Sequence, residues 1–301
     1  MTILWDPDNG RSVWTVRLHY RAREIPPYDA LLRHGHRLAR LKHRHELPVL
    51  SSERWASVRR ELRASGVAQR HLDWLGLDYR DMLDAADELL VDLALKRNDG
   101  PEHYYDVSDD VLVSQPQPFL FGLSQPLLDL AESYFGLPVW YLGVAVKREL
   151  ANGVLVGTRN FHRDPEDERL LKIIVYLNDV DVDGGPFQCL NAADSAEVLS
   201  VNGGRFIGAQ PPDMERIQAI IPRADWVTCE GPRLTANFCD TARCLHRASP
   251  PVARDRYSLT FSYLSRRPYL LWKDGRERQE AFRDRYHSLL NGHQFAALGD
   301  A

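Results

Sequence analysis

The 301-residue chain is poor in lysine: Lys42, Lys96, Lys147, Lys172 and Lys273 are the five among 38 basic residues. Arginine carries the rest of the positive charge. Against 42 acidic residues the formal net charge is −4, so there is no bulk electrostatic reason to expect a nucleic-acid partner. No apolar run approaches the ~20 residues that cross a bilayer, so no membrane partner is expected either. The segment Met1 to Pro7 lacks the basic and apolar regions of a signal peptide, which predicts a cytoplasmic protein. The four cysteines, Cys189, Cys229, Cys239 and Cys244, form no Cys-x-x-Cys pair and are expected to stay reduced. Cys239, Cys244 and His246 find no fourth ligand at a zinc-finger spacing. Repeats and Gly/Ser- or Pro-rich linkers are also missing, which predicts one domain over 1–301.

What is present divides by texture. Trp55, Val58 and Leu62 share one face of a helix ending near Gly66. Asp78 is placed to cap a second helix, carrying Tyr79, Met82, Leu83, Ala86, Leu90 and Leu93. Ser124 caps a third, which Gly136 and Pro138 end. After Pro138 the pattern turns to strands: Val139 to Val146, Leu170 to Leu177 and Arg256 to Leu264, with a tight turn at Asp183-Gly184-Gly185-Pro186. A helix near Asp213 to Ile221 reads as an insertion, and an amphipathic helix spans roughly Gln279 to Leu290. The expected fold is α+β: a mainly helical part at 1–138, a β core at 139–268 of sandwich or jelly-roll type, and a C-terminal helix at 269–301.

The chemistry concentrates in Asn160-Phe161-His162-Arg163-Asp164. On a strand, residues i and i+2 face one side, so His162 and Asp164 can reach one ion together. With a remote His246 they make a two-imidazole, one-carboxylate set. That is the facial triad of non-haem Fe(II), and its nitrogen and oxygen donors also suit Mn(II) or Zn(II). A His-x-Asp pair alone is common. The arrangement of these residues with strand-like segments on both sides makes them a candidate site.

The resemblance is carried by Phe161-His162-Arg163-Asp164, Val175-Tyr176-Leu177-Asn178-Asp179, Gly184-Gly185-Pro186-Phe187, Gly231, Leu245-His246-Arg247-Ala248-Ser249 and Arg256-Tyr257-Ser258-Leu259-Thr260. In this order the chain resembles the Fe(II)- and 2-oxoglutarate-dependent oxygenases, in their phytanoyl-CoA dioxygenase-like branch, over a little more than a third of its length. The resemblance implies a double-stranded β-helix of cupin-like jelly-roll type. It implies Fe(II), 2-oxoglutarate and O2 as cofactor and co-substrates, with succinate and CO2 released as a small-molecule C–H bond is oxidised. His162, Asp164 and His246 would hold the iron, and Arg256 would pair bidentately with the distal carboxylate of 2-oxoglutarate, assisted by Ser258. Arg254 and Lys172 are competing anchors and rank below Arg256. Halogenating relatives lack the carboxylate that Asp164 supplies, so hydroxylation is favoured; desaturation, ring formation and demethylation use the same triad. The chain departs from the family at Gln188-Cys189-Leu190-Asn191, followed by Ala192-Ala193-Asp194-Ser195, where a small-residue, Ser-His ending is usual.

For substrate contact the candidates are Arg159, Tyr141 and Trp226, with Tyr104, Tyr105, Trp140, Phe206 and Arg163 behind them. A small polar or amino-acid-derived metabolite of specialised metabolism is the expected substrate, and a thioester-bound acyl group is the next. Two rival readings are weighed. The run Arg33 to His45 could bind nucleic acid or, through His34, His36, His43 and His45, a second metal, but a solvated helix face explains it more cheaply. A metal-binding cupin-like isomerase or binding module would have no need of an Arg-x-Ser anchor.

Overall fold

A computed structural model describes residues 3–5, 18, 22, 25–50, 52–97, 102–201 and 214–299; Phe206 and Asp213 lie outside them. Six strands form the larger sheet: β2 (Val67–His71), β8 (Thr235–Asp240), β5 (Leu171–Tyr176), β10 (Arg256–Ser265), β4 (Val139–Glu149) and β3 (Tyr104–Asp106), all antiparallel and in that spatial order. A smaller antiparallel sheet orders β7 (Val227–Cys229), β6 (Phe187–Cys189) and β9 (His246–Ala248). The chain passes from β5 to β6 and β7, back to β8, out to β9 and back to β10. This alternation between two facing sheets is a double-stranded β-helix, or jelly roll. A short parallel pair, β1 (Ile3–Trp5) with β11 (Leu270–Trp272), lies apart from both.

Alternation along the strands gives the larger sheet two different faces. Ile173, Val175, Leu259, Phe261, Val144, Val146, Ala236 and Phe238 pack with the helices in the main core. After α1 (Pro26–His43), which leaves Leu31, Leu38 and Leu41 exposed, the helices bury apolar residues in that core: α2 (Glu53–Ser65), α3 (Arg80–Leu95), α4 (Gln117–Gly122) and α5 (Gln125–Phe135). On α2 the buried residues are Trp55, Val58 and Leu62, and Gly66 ends it in the left-handed conformation at φ 84°. Each such fully buried side chain contributes ~1.5–3 kcal/mol. Ile174, Tyr176 and Cys239 lie on the opposite face and pack against Phe187, Cys189 and Cys229 of the smaller sheet. The candidate residues Lys172, Arg256 and Ser258 belong to this inner side.

The strands of the core start and end within a few residues of their expected positions. The sheet also recruits β2 and β3 from the mainly helical part, where no strand was expected. A further helix, α6 (Ala192–Val201), follows β6, and α7 (Met214–Ile220) stands where the insertion was expected. The last long helix, α8 (Lys273–Tyr286), begins earlier than its apolar pattern suggests. No helix among the described residues is long and apolar enough to cross a membrane.

Two glycines set geometry that matters for the site. Gly143 has φ 105°, and a Cβ there would meet Phe119 at 3.0 Å and Arg278 at 3.1 Å; it marks the irregularity at Ser262/Tyr263 that re-aims the end of β4. Gly185, at φ 68°, lies so close to Ser249 and Pro251 that a Cβ would approach their backbone to 2.5 and 2.4 Å. The Gly-Gly-Pro turn is therefore packed against the crossover between β9 and β10, just ahead of Arg256.

Candidate metal centre

The backbone itself brings the two histidines together. His162 and His246 exchange both hydrogen bonds, N–H to O at 2.9 Å in each direction, as an isolated antiparallel bridge. Directly opposed residues of such a pair send their side chains to the same face. Their rings stand 4.3 Å apart. Two residues on, the Asp164 N–H donates to the Thr241 carbonyl at 3.0 Å and its carboxylate returns to the same side. Among the described residues, His162, Asp164 and His246 are the group of ligand-type side chains close enough for one ion, with donor atoms within 4.8 Å of one another.

Tautomers follow from hydrogen bonding. His162 Nδ1 lies 2.9 Å from the Asn160 carbonyl, and His246 Nδ1 lies 3.0 Å from the Cys244 carbonyl. A carbonyl can only accept, so each Nδ1 carries a proton and Nε2 is the nitrogen available to a metal. Both Nε2 atoms face Asp164, that of His162 at 3.8 Å from Oδ1 and that of His246 at 3.6 Å from Oδ2. Burial, then the neighbouring His162, pushes the pKa of His246 down to about 3, so the ring is neutral at ordinary pH. Two imidazole nitrogens and a carboxylate converging on one point make an arrangement that suits a cation. The donor set and its fixed tautomers fit a divalent metal ion of the Fe(II), Mn(II) or Zn(II) type.

Lys172 supplies that positive charge in the protein alone, with Nζ 2.6 Å from Asp164 Oδ2. Burial alone would raise the pKa of Asp164, but the ammonium and the two imidazoles outweigh it and hold the carboxyl below its ordinary value. A metal ion must therefore compete with Lys172 for one carboxylate oxygen. Replacing Lys172 by methionine is expected to tighten metal binding about tenfold, equivalent to ~1.4 kcal/mol. It should also lower the thermal stability of the metal-free protein, because the buried carboxylate loses its partner. Metal titration together with unfolding in the presence and absence of metal checks both; affinity unchanged or weaker would contradict it.

Glu166, two residues beyond Asp164, was not singled out from sequence, although the i, i+2 rule that found the pair extends to it. Burial, then the Asp164 charge, raises its pKa to about 7. Trp272 Nε1 donates to its Oε1 at 2.6 Å, while the buried Oε2 has no hydrogen-bond partner. Glu166, Lys172, Thr260, Ser262 and Trp272 line a cavity of about 280 Å³, reaching the triad through Lys172.

Register fixes the other inward residues. Ser258 lies opposite Lys147 on β4 and Tyr176 on β5, and Arg256 lies opposite Glu149. Tyr176 Oη accepts from the Phe187 N–H at 2.9 Å, and the Phe187 ring stands 5.7 Å from that of His246. A contiguous path of side chains thus leads from the triad to the start of β10. Arg256 is 4% exposed, yet its one hydrogen bond, to the Ser249 carbonyl, is long at 3.4 Å. Its carboxylate neighbour Glu149 is 3.9 Å away and sits closer to Arg159, at 3.1 Å. A buried guanidinium so weakly partnered is equipped to receive an anion. Arg254, the competing anchor, is half exposed and paired with Asp181.

The expected substrate residues are placed otherwise. Arg159 is fully buried, and its donors go to Glu149, Asn152 and the carbonyls of His103, Leu150 and Val154. It ties the loop before the metal motif together and has no donor left for a ligand. Tyr141 lies in the main core, its ring 4.9 Å from Phe119 and 5.2 Å from Tyr263, on the helical face and away from the triad. Trp226 is 5% exposed, donates from Nε1 to the Ile221 carbonyl and packs edge-on against Phe161. Arg247, which sequence reasoning did not single out, stacks over Phe161 at 5.2 Å and Trp226 at 5.7 Å and donates to Gln188 Oε1. These residues brace the backbone on either side of the two histidines. Tyr105 bonds the Arg97 carbonyl, and the Tyr104 ring lies under Lys147. In the basic run, His36 bonds Glu168 and His43 bonds Glu46.

No protein-family model matches the chain, and no curated protein matches it by sequence. Among solved structures the chain is similar to the epimerase SnoN in complex with Fe3+, alpha ketoglutarate and nogalamycin RO, at 17% identity over 72% of this chain and 86% of that one, with a TM-score of 0.49. It is similar to EctD from S. alaskensis in its apoform, at 17% identity over 73% and 78%, with a TM-score of 0.49. HygX from Streptomyces hygroscopicus with nickel, 2-oxoglutarate and hygromycin B bound is 14% identical over 69% and 86%, with a TM-score of 0.47. With likenesses this distant, the chemistry rests on the residues of this chain.

Proposed function

We propose that this chain is an Fe(II)- and 2-oxoglutarate-dependent oxygenase of the phytanoyl-CoA dioxygenase-like branch that hydroxylates a C–H bond of a small polar metabolite. The observation that carries the reading is the triad: two imidazoles fixed in the metal-binding tautomer, facing one carboxylate on the inner side of a jelly roll. Bound by His162, Asp164 and His246, Fe(II) supplies the chemistry that couples O2-dependent decarboxylation of 2-oxoglutarate to oxidation of the substrate. The other roles belong to the protein. Arg256 binds the distal carboxylate of the co-substrate through its planar fork, and Ser258, on the same strand face, adds a hydroxyl. Asn160 and Cys244 hold the imidazole protons away from the metal position through their carbonyls. The cavity beside Lys172 and Glu166 receives the substrate, its walls excluding bulk water from the reacting centre. Asp164 fills the position that halogenating relatives leave open, which favours hydroxylation or another oxidation over halogenation.

Succinate formation from 2-oxoglutarate tests the reading. The anaerobically purified chain, supplied with Fe(II) and then O2, is expected to release succinate, faster when a screened metabolite fits the cavity. The His162→Ala variant should release none above background. Wild-type protein that neither binds nor consumes 2-oxoglutarate across such a screen would overturn the proposal and favour a metal-binding isomerase or binding module.

A further inference from the structure

A second concave site lies behind the metal motif. Its cleft measures about 550 Å³, within the usual range of small-molecule sites, and Arg33, Arg163, Arg169 and Arg243 line it. On a chain of net charge −4 four arginines around one cleft concentrate positive charge, with Arg33 paired to Asp29 at 2.6 Å. Arg163 stands between His162 and Asp164 in sequence, so the cleft and the metal centre share one segment of backbone.

Two of these arginines, Arg169 and Arg243, are held by one residue, Tyr134. Arg169 donates to the Tyr134 carbonyl at 2.6 Å and lies 4.9 Å over the Tyr134 ring. Arg243 donates to Tyr134 Oη at 3.2 Å, and its nearest acid, Asp240, is 4.0 Å away and already accepts from that same hydroxyl. Tyr134 is fully buried, so it serves as a fixed platform for both guanidinium groups. Glu168, the acidic residue of the cleft wall, is committed to Arg40 at 2.7 Å and His36 at 3.0 Å. The guanidinium groups of Arg169 and Arg243 are thus pre-oriented, with one buried carboxylate, Asp240, shared between the two positive charges. Leu199 and Ala196 of α6 with Ala242 add an apolar strip along the same cleft.

We propose that this cleft binds a small phosphate-bearing molecule, its phosphate gripped by Arg169 and Arg243 and its apolar part lying along α6. Planar guanidinium groups match phosphate oxygens two at a time, which an ammonium does not. The concave shape suits a small ligand rather than a nucleic-acid strand, which needs an extended basic track. The inference stands independently of the oxygenase reading.

Phenyl phosphate is the probe, with inorganic phosphate as its counterpart lacking the apolar part, titrated calorimetrically into the full chain at low ionic strength. Saturable binding in the submillimolar range is expected, tighter for phenyl phosphate than for phosphate. The Arg169→Gln/Arg243→Gln double variant should weaken it roughly tenfold or more. Arg256→Gln should leave it unchanged, which separates this cleft from the co-substrate anchor. Should the double variant fail to fold, Leu199→Asp, which sets a carboxylate beside the arginines, is expected to give the same weakening. No saturable binding at millimolar probe, equal binding by the variants, or loss in Arg256→Gln would overturn the proposal.

Discussion

Replacing His246 by alanine is expected to remove metal binding while the fold survives. Its imidazole is one of three donors, and even the outer partner of a metal ligand is worth about 10–100-fold in affinity. Loss of the ligand itself should therefore cost at least on the order of 100-fold. The fold has little stake in the ring, because the residue joins the structure through its backbone: the bridge to His162 and the pairing with Cys189 remain in the variant. The side chain gives up one hydrogen bond, to the Cys244 carbonyl. Metal content after anaerobic loading, read beside circular dichroism and thermal unfolding, separates the two effects. A folded His246→Ala chain that keeps wild-type metal affinity would show that the three donors do not act as one site.

The second large effect is expected at Arg256. Its guanidinium is buried, 3.9 Å from a carboxylate that already serves Arg159. A co-substrate carboxylate placed there would gain two charge-assisted hydrogen bonds in a region shielded from water. Removing one member of such a buried charged pair costs ~2–5 kcal/mol. Arg256→Ala should thus weaken 2-oxoglutarate on the order of 100-fold and leave metal affinity as it was. Arg256→Lys, which keeps the charge but loses the planar fork, should fall between. The Michaelis constant for 2-oxoglutarate measured beside a metal titration gives both readouts. Equal loss of metal and 2-oxoglutarate would mark the residue as structural.

The grouping of His162, Asp164 and His246 was legible in the sequence because its signals are local or pairwise. His162 and Asp164 follow strand alternation, and β4, β5 and β10 advertise themselves by β-branched and aromatic runs. The strand β2, Val67-Ala68-Gln69-Arg70-His71, was not legible. It is short, follows directly on a helix, and owes its ladder to β8, far along the chain. Helix α6 starts where Asn191 accepts from the Ala193 and Asp194 N–H groups. That cap stands in the segment noted as a departure from the family pattern.

Residues near the motif in sequence proved poor guides to its surroundings in space. Arg159 sits three positions before His162 yet turns its guanidinium to loop carbonyls, and the irregularity near Gly143 puts Tyr141 on the helical face. Motif residues without chemistry also acquire physical reasons. Asn178 takes the Tyr257 N–H and donates to the Asp255 carbonyl, bracketing Arg256, and Gly185 admits the crossover that precedes it. The pairing of Lys172 with Asp164 required the register of β5 against the metal loop, which no spacing in the sequence reports.

The oxygenase reading is tested most directly by an anaerobic titration of the Fe(II)-loaded chain with 2-oxoglutarate, followed by its metal-to-ligand charge-transfer absorption. A saturable visible band is expected that needs both components, is absent in His246→Ala, and shifts to much higher 2-oxoglutarate in Arg256→Ala. A wild-type chain that binds Fe(II) but develops no band at saturating 2-oxoglutarate would contradict it.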